Sequence, residues 1–285
     1  MVHDGPMSIR SALQVPPGPV DLTAHDPSAK PGFHGKKGDG RAALAAMEPE
    51  FKDLQEKLYA NRDSGKRVLL VLQGMDTSGK GGVLDHTVGL MPPEGVKITS
   101  FKAPTDEEKK HDFLWRVRNA VAGPGYVTVF DRSHYEDVLI ARVHQFAGPS
   151  EIERRYDAIN DFEQELAQAG TAIVKCMLHV SAEEQKQRLL ARLDDPTKHW
   201  KFNPADIDER AHWAQYRQAY EVALERCNTA HSPWFVIPSD RKWYRNYAIG
   251  ILLRDALRGL DLGWPRGDFD VEVEKKRLSG EAPVA

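Results

Sequence analysis

Cysteine is nearly missing from this chain: Cys176 and Cys227 are the only two in 285 residues, far apart and with no C-x-x-C pair. That argues against a disulfide scaffold or a zinc knuckle, and makes a reducing cytoplasm the expected compartment. No run of about 18 apolar residues occurs, so no membrane-spanning helix is expected, and no signal-peptide pattern opens the sequence. Positive charge is not in excess either. Thirty-nine Lys and Arg face 42 Asp and Glu, for a formal charge of −3 and a pI of about 6.4. No global basic field advertises nucleic acid, so a polyanionic partner would need a local basic groove. The 11 histidines form no H-E-x-x-H spacing, so a transition-metal site is not indicated. No G-x-S-x-G elbow appears, which argues against an α/β-hydrolase.

What is present is enough for one large α/β domain, with 41% hydrophobic and 28% charged residues. Its centre is the apolar run Val68-Leu69-Leu70-Val71-Leu72-Gln73, a buried strand by composition. Gly74, Met75, Asp76, Thr77, Ser78, Gly79, Lys80, Gly81 and Gly82 follow. Gly74 and Gly79-Lys80 fit G-x-x-x-x-G-K, the phosphate-binding loop, in which backbone amides and the next helix's positive end cradle phosphate. Lys80 would add a mobile charge on the transferring phosphoryl group. Two positions depart from the pattern. Gly81 stands where a Ser or Thr would hold magnesium, and Asp76 puts a carboxylate inside an anion nest. A cation between Asp76 and phosphate would resolve both, making Asp76 a metal ligand; the alternative is that it caps a turn.

Taken in order, residues 1–40 read as a low-hydrophobicity arm, either disordered or lying extended on the body or on a neighbouring subunit, with Pro16-Pro17-Gly18-Pro19 opposing regular structure. A helix is expected over about Arg41 to Tyr59, started or kinked at Pro49. Strands follow at Val96–Phe101, Tyr126–Phe130, Thr171–Val180 and Trp234–Pro238. Thr105-x-x-Glu108, Ser150-x-x-Glu153 and Ser181-x-x-Glu184 read as capping boxes for the helices between them. Asp131 ends an apolar strand, as the second metal-orienting carboxylate of phosphate-loop enzymes does. Arg132 beside it would contact phosphate or pair with Glu136 or Asp137. Arg188 and Arg192 share a helix face. With Lys198 and Lys201 in the polar stretch Asp194–Pro204 they read as a lid over about 182–210, set against the alternative of a solvated charged face. The stripe Trp213, Tyr216, Tyr220 and Leu224 reads as core rather than a ligand box. A last helix runs from about Trp243 to Leu260, and residues 261–285 read as an irregular tail.

Strands alternating with helices imply a doubly wound parallel sheet. The expected fold is a P-loop kinase-like three-layer α/β/α domain over 41–260, with a five-stranded parallel sheet, an N-terminal helix and a helical lid. A GTPase would need an Asn/Thr-Lys-x-Asp motif, but Thr197-Lys198 is followed by His199-Trp200. A kinase acting on small phosphorylated molecules remains. Competing readings are an ATP-dependent nucleoside-monophosphate kinase, against which Gly81 and Asp76 count, and a non-catalytic nucleotide- or phosphate-binding protein.

The residues 74–82 loop, Phe101-Lys102-Ala103-Pro104-Thr105, His111-Asp112-Phe113-Leu114-Trp115-Arg116, Phe130-Asp131-Arg132-Ser133-His134-Tyr135-Glu136-Asp137, Arg192-Leu193-Asp194-Asp195-Pro196 with Trp200-Lys201-Phe202, and Asp240-Arg241-Lys242-Trp243 together closely resemble the polyphosphate kinase 2 family, over about Ala42 to Leu260. The resemblance implies transfer of a terminal phosphoryl group between inorganic polyphosphate and nucleoside mono- or diphosphates (AMP and ADP, with GMP and GDP as further candidates). It implies magnesium or manganese as cofactor, and a homodimer or homotetramer. Asp76 and Asp131 would hold the metal; Lys80 and Arg132 would stabilise the migrating group; Arg188 and Arg192 would act as fingers from the lid. Lys102, Lys109, Lys110, Arg116 and Lys201 would form a basic channel for the donor chain. Ser133 to Asp137 look most like the subgroup accepting both mono- and diphosphates. No nucleic-acid or membrane partner is implied.

Overall fold

The computed structural model describes residues 8–280; the arm and the tail expected from sequence each extend beyond these limits. The helices are α1 (Ile9–Leu13), α2 (Lys37–Ala45), α3 (Glu48–Ala60), α4 (Lys80–His86), α5 (Trp115–Ala120), α6 (Ile140–Val143), α7 (Pro149–Gln168), α8 (Ala182–Leu193), α9 (Ala205–Glu209), α10 (Trp213–Arg226), α11 (Lys242–Arg258) and α12 (Val271–Gly280). The strands are β1 (Arg67–Gln73), β2 (Val96–Ser100), β3 (Val127–Asp131), β4 (Thr171–His179) and β5 (Trp234–Pro238). They form one sheet in the order β2-β3-β1-β4-β5, parallel throughout.

Side chains alternate across a strand, and β1 divides its residues between two cores. Val68, Leu70 and Leu72 face α2, α3, α4 and α11, whereas Leu69 and Val71 face α5, α7 and α10. Burial on both faces is why β1 reads as an unbroken apolar run. The sheet is thus the middle of three layers, as expected. The connection from β1 runs to β2 on one side of the sheet and that from β3 crosses to β4 on the other, so the carboxyl ends of β1 and β3 flank the switch point where such sheets bind ligands.

The helix expected over residues 41–59 is two helices. Pro49 lies in the first turn of α3, where its missing amide and fixed φ are tolerated, and α2 ends before it. The Thr105–Glu108 box forms, with Thr105 N–H donating to Glu108 Oε2 at 2.7 Å, but closes only a 3-10 turn at Glu108–Lys110. Lys109 and Lys110 of that turn, and His111 and Asp112 after it, offer no apolar side chain to bury. Ser150 caps nothing: α7 begins at Pro149 with Gly148 as its cap. Ser181 does cap α8, accepting from Glu184 N–H at 3.1 Å.

The arm lies on the body from residue 8. Ile9, Leu13, Val15 and Leu22 are buried, and Val15 N–H donates to Trp234 O at 2.9 Å. The arm therefore covers the open edge of β5. In the tail, α12 buries no residue. No helix among the described residues is long and apolar enough to cross a membrane.

Candidate active site

The loop after β1 depends on backbone shapes that glycine permits. Gly74 has φ 152° and Gly79 φ 109°. A Cβ on Gly74 would stand 2.8 Å from Leu178 O, and one on Gly79 would collide with the Arg245 guanidinium. Thr77 also takes a positive φ, 59°, a strain that non-glycine residues hold mainly at ligand sites. Thr77 Oγ1 and Ser78 Oγ are buried without a hydrogen-bond partner among the described residues, and the first amides of α4 have no intrahelical acceptor. Orphaned hydroxyls and amides around a glycine cradle are the donor set a phosphate group satisfies.

Lys80 opens α4 and is buried. Its Nζ donates to Gly74 O at 2.7 Å. Burial, and next the Arg132 guanidinium, lower its pKa, while Asp76, Asp131 and Glu136 oppose the fall. The structure thus brings Asp76 and Asp131 into one electrostatic neighbourhood around Lys80. Asp131 is the last residue of β3, in register with Leu72 of β1. No group of three or more His, Cys, Asp or Glu forms a metal cage among the described residues. Magnesium uses one or two carboxylates and fills its sphere with water and substrate oxygens, so the pair Asp76 and Asp131 fits that ion.

Arg132 is the hinge of the site. It has φ 63° and its N–H donates to Leu72 O at 3.0 Å. Its guanidinium donates to Asp76 at 2.6 Å and lies 3.8 Å from Glu136, the pairing that the sequence left as the alternative to a phosphate contact. Burial alone would lower its pKa, but Glu136 and Asp76 override this and raise it. Burial in turn pushes the Glu136 carboxyl up against the pull of Arg132. The neighbouring Asp137 is likewise raised by burial although Arg116 and Arg155 flank it, at 3.5 Å and 3.8 Å.

Three recesses meet here. One, of about 680 Å3, lies beyond β2 and β3 and is lined by Lys102, Lys109, Arg116, Arg132, Glu136 and Asp137 together with Phe101, Phe113 and Phe146. A groove of about 490 Å3 lies on the other side of the loop, lined by Thr77, Gly79, Gly82, Arg188, Arg192, Lys198, Lys201, Lys242 and Arg245. Glu184 is its one carboxylate, and it has no aromatic lining. The third, about 230 Å3, separates the loop from α9 and α10.

Several expectations change. Arg188 is a strut, not a finger. Its Nε donates to Glu184 at 2.8 Å, Nη1 to Thr77 O and Ser78 O at 2.8 and 3.1 Å, and Nη2 to Ser239 O and Asp240 O at 2.6 and 3.1 Å. All five of its N–H groups are occupied. Arg192 does face the groove, tied to Lys201 O at 3.0 Å. The basic channel assembled from sequence is divided: Lys201 lines the groove, whereas Lys102, Lys109 and Arg116 line the aromatic recess. Lys110 joins neither; it is exposed and pairs with Glu107 at 2.7 Å. In the stripe on α10, Tyr220 and Leu224 are buried, but Trp213, Tyr216 and Tyr220 also line the third recess beside Asp76.

Arg245 went unassigned from sequence. It is buried against the loop, donating to Ser78 O at 3.1 Å. Burial, and after it Arg188, depress its pKa to about 9. The run Asp240-Arg241-Lys242-Trp243-Tyr244-Arg245 at the end of β5 was the available signal. Lys242, Arg155, Gln185 and Asp206 were likewise missed.

The family model described as polyphosphate kinase 2 matches residues 34–260. The chain is 41% identical over 251 residues to an AMP/ADP-polyphosphate phosphotransferase of Meiothermus ruber, covering 88% of this chain and 93% of that protein. It is 37% identical to an ADP-polyphosphate phosphotransferase of Rhodopseudomonas palustris, covering 86% and 88%. The crystal structure of polyphosphate kinase 2 from Arthrobacter aurescens TC1 superimposes with a TM-score of 0.94 at 53% identity, covering 97% of this chain and 98% of that one. With the phosphate cradle, the fold and the motif resemblance in agreement, this chain belongs to the polyphosphate kinase 2 family.

Proposed function

We propose that this chain moves the terminal phosphoryl group of inorganic polyphosphate to nucleoside mono- and diphosphates, reversibly, with magnesium or manganese. The observation that carries this reading is the contrast between the two recesses flanking the loop. The groove offers cations and no aromatic platform, which suits a donor without a base. The recess with Phe101, Phe113 and Phe146 combines apolar surface with Lys102 and Arg116, which suits an acceptor having both a base and phosphates.

Phosphoryl transfer asks the protein for in-line positioning and neutralised charge. The loop amides and Lys80 would hold the phosphoryl group in flight. Arg132, between loop and aromatic recess, would reach the acceptor phosphate; Arg192, Lys198 and Lys201, on the segment 182–210, would close over the donor as a lid. Asp76 and Asp131 would hold magnesium, which would supply neutralisation of phosphate charge. A nucleotide phosphate is already ionised near neutral pH, so no dedicated general base is needed. By resemblance we further assign a homodimer or homotetramer working in the cytoplasm.

The test is to incubate pure protein with magnesium and AMP, ADP, GMP or GDP, adding polyphosphate or ATP as donor, and to follow nucleotide products. Nucleotide phosphorylation from polyphosphate is expected. Transfer from ATP alone would support a nucleoside-monophosphate kinase instead, and magnesium-dependent binding without turnover would support a sensor.

A further inference from the structure

The donor groove does not end at the loop. It shares Gly82, Lys242 and Arg245 with a further cavity of about 410 Å3 that opens among α2, α4 and α11. Arg41 of α2 and His86 at the end of α4 line that cavity, and no carboxylate does. The charge state of the trough changes along its length. Near the lid most of the cations are matched, Arg188 to Glu184, Arg192 to Asp206 and Lys198 to Asp195, while Lys201 lies over the Trp200 ring. Beyond the loop, Lys242, Arg245 and Arg41 make no ion pair among the described residues. Partial burial, followed by the guanidinium of Arg188, lowers the pKa of Lys242; Glu184 opposes the fall, and Arg245 and Lys198 add to it, as expected where cations outnumber counter-charge. Unmatched cations beside an apolar wall, here Trp243, cost free energy unless an anion joins them. Arg41 is exposed, and its side chain makes no hydrogen bond or ion pair among the described residues.

A polyphosphate donor is a line of negative charges of which only the terminal group reacts. The rest of a long chain must leave the loop along some path. We propose that the cavity among α2, α4 and α11 is a distal donor subsite, in which Arg41 grips phosphates that only a long chain can reach, so that this enzyme discriminates donors by length. The inference rests on polyphosphate being the donor. It adds a site at the junction of the arm and the domain, outside the loop and the lid.

The test is steady-state kinetics of the full chain and its Arg41→Ala, Arg41→Glu and Arg41→Lys variants. ADP is the acceptor, with linear tetraphosphate and long-chain polyphosphate as alternative donors. Loss of one charge-assisted contact should raise KM for the long chain about five- to tenfold in Arg41→Ala. Arg41→Glu should raise it further and Arg41→Lys should restore most of it. KM for tetraphosphate, KM for ADP and kcat should not move. Equal changes with both donors, or no change with either, would remove the subsite while leaving the donor assignment intact. Wild-type protein that uses neither donor would remove both.

Discussion

Arg188 is the residue whose role in the structure departs most from its reading as a lid finger, and the two roles predict opposite outcomes. A finger touches the substrate and leaves the fold indifferent to its loss. A strut holds the loop in shape. The five hydrogen bonds of Arg188 join α8 to Thr77, Ser78, Ser239 and Asp240, and its side chain is only 8% exposed. Arg188→Lys keeps the charge but brings three donors in place of five, and a point charge cannot reproduce the planar fork. At least two acceptors lose their partner, each costing about 1–2 kcal/mol. The expected destabilisation is therefore about 2–4 kcal/mol, or roughly 4–12 °C in Tm for a domain of this size. Denaturant midpoint and thermal melting measure this directly, with turnover recorded alongside. Turnover should fall too, because the Thr77 and Ser78 carbonyls anchor the cradle. A variant with unchanged melting and a large loss of kcat would refute the strut and restore the finger.

Asp76→Asn and Asp131→Asn should each lower kcat at least about a hundredfold through lost stabilisation of phosphoryl charge; near-normal turnover at saturating magnesium would reject the pair as metal ligands. Gly79→Ala should destabilise by several kcal/mol and abolish polyphosphate binding, since its φ of 109° and the Arg245 guanidinium both exclude a side chain; isothermal titration against polyphosphate and thermal melting check it. Glu163, fully buried against Lys175 at 2.6 Å, has its pKa lowered to about 2: burial acts to raise it, but Lys175 and His134 outweigh burial. A carboxylate depressed in the folded state contributes stability above its ordinary pKa and loses it as pH falls from about 4.5 toward 2. Denaturant unfolding between those limits should therefore show a stability slope that Glu163→Gln flattens, with an added loss of about 3–5 kcal/mol from the stranded lysine; an unchanged slope would sink the assignment.

What could be read from sequence followed from local rules. The β1 run is legible because a strand buried on both faces must be apolar throughout, and the loop after it because glycines and Lys80 at fixed spacing have one chemical use. Asp131 is legible by its place at the end of an apolar strand. Arg188 is not, since its face on α8 says that it points toward the sheet's carboxyl end but not whether phosphate or carbonyls await it. Arg245 lies far along the chain from Gly79, and only the packing of α11 beside α4 brings them together. Lys110 shows the converse failure: a basic residue beside true site residues that turns outward to Glu107. The α10 stripe reads as core because period reveals a face; that the same face closes a recess beside Asp76 depends on where α9 places the chain.

The charge balance of the site explains how a slightly acidic protein can be ready for a polyanion. The described structure pairs the catalytic charges internally: Arg132 with Asp76, and more distantly Glu136, while Lys80 rests on Gly74 O. Each partner is one that substrate chemistry can replace. A phosphate oxygen is a better acceptor for Lys80 than a carbonyl, and a charged acceptor roughly doubles the strength of the bond. A phosphate could likewise take the Arg132 guanidinium, and Asp76 would then be free to serve as the proposed magnesium ligand. On the proposed function, the Arg132–Asp76 pair would be exchanged rather than lost on binding, so the full desolvation cost of isolated charges would not be incurred. Asp76 in an anion nest, anomalous by sequence pattern, is the counter-ion of Arg132 in this structure.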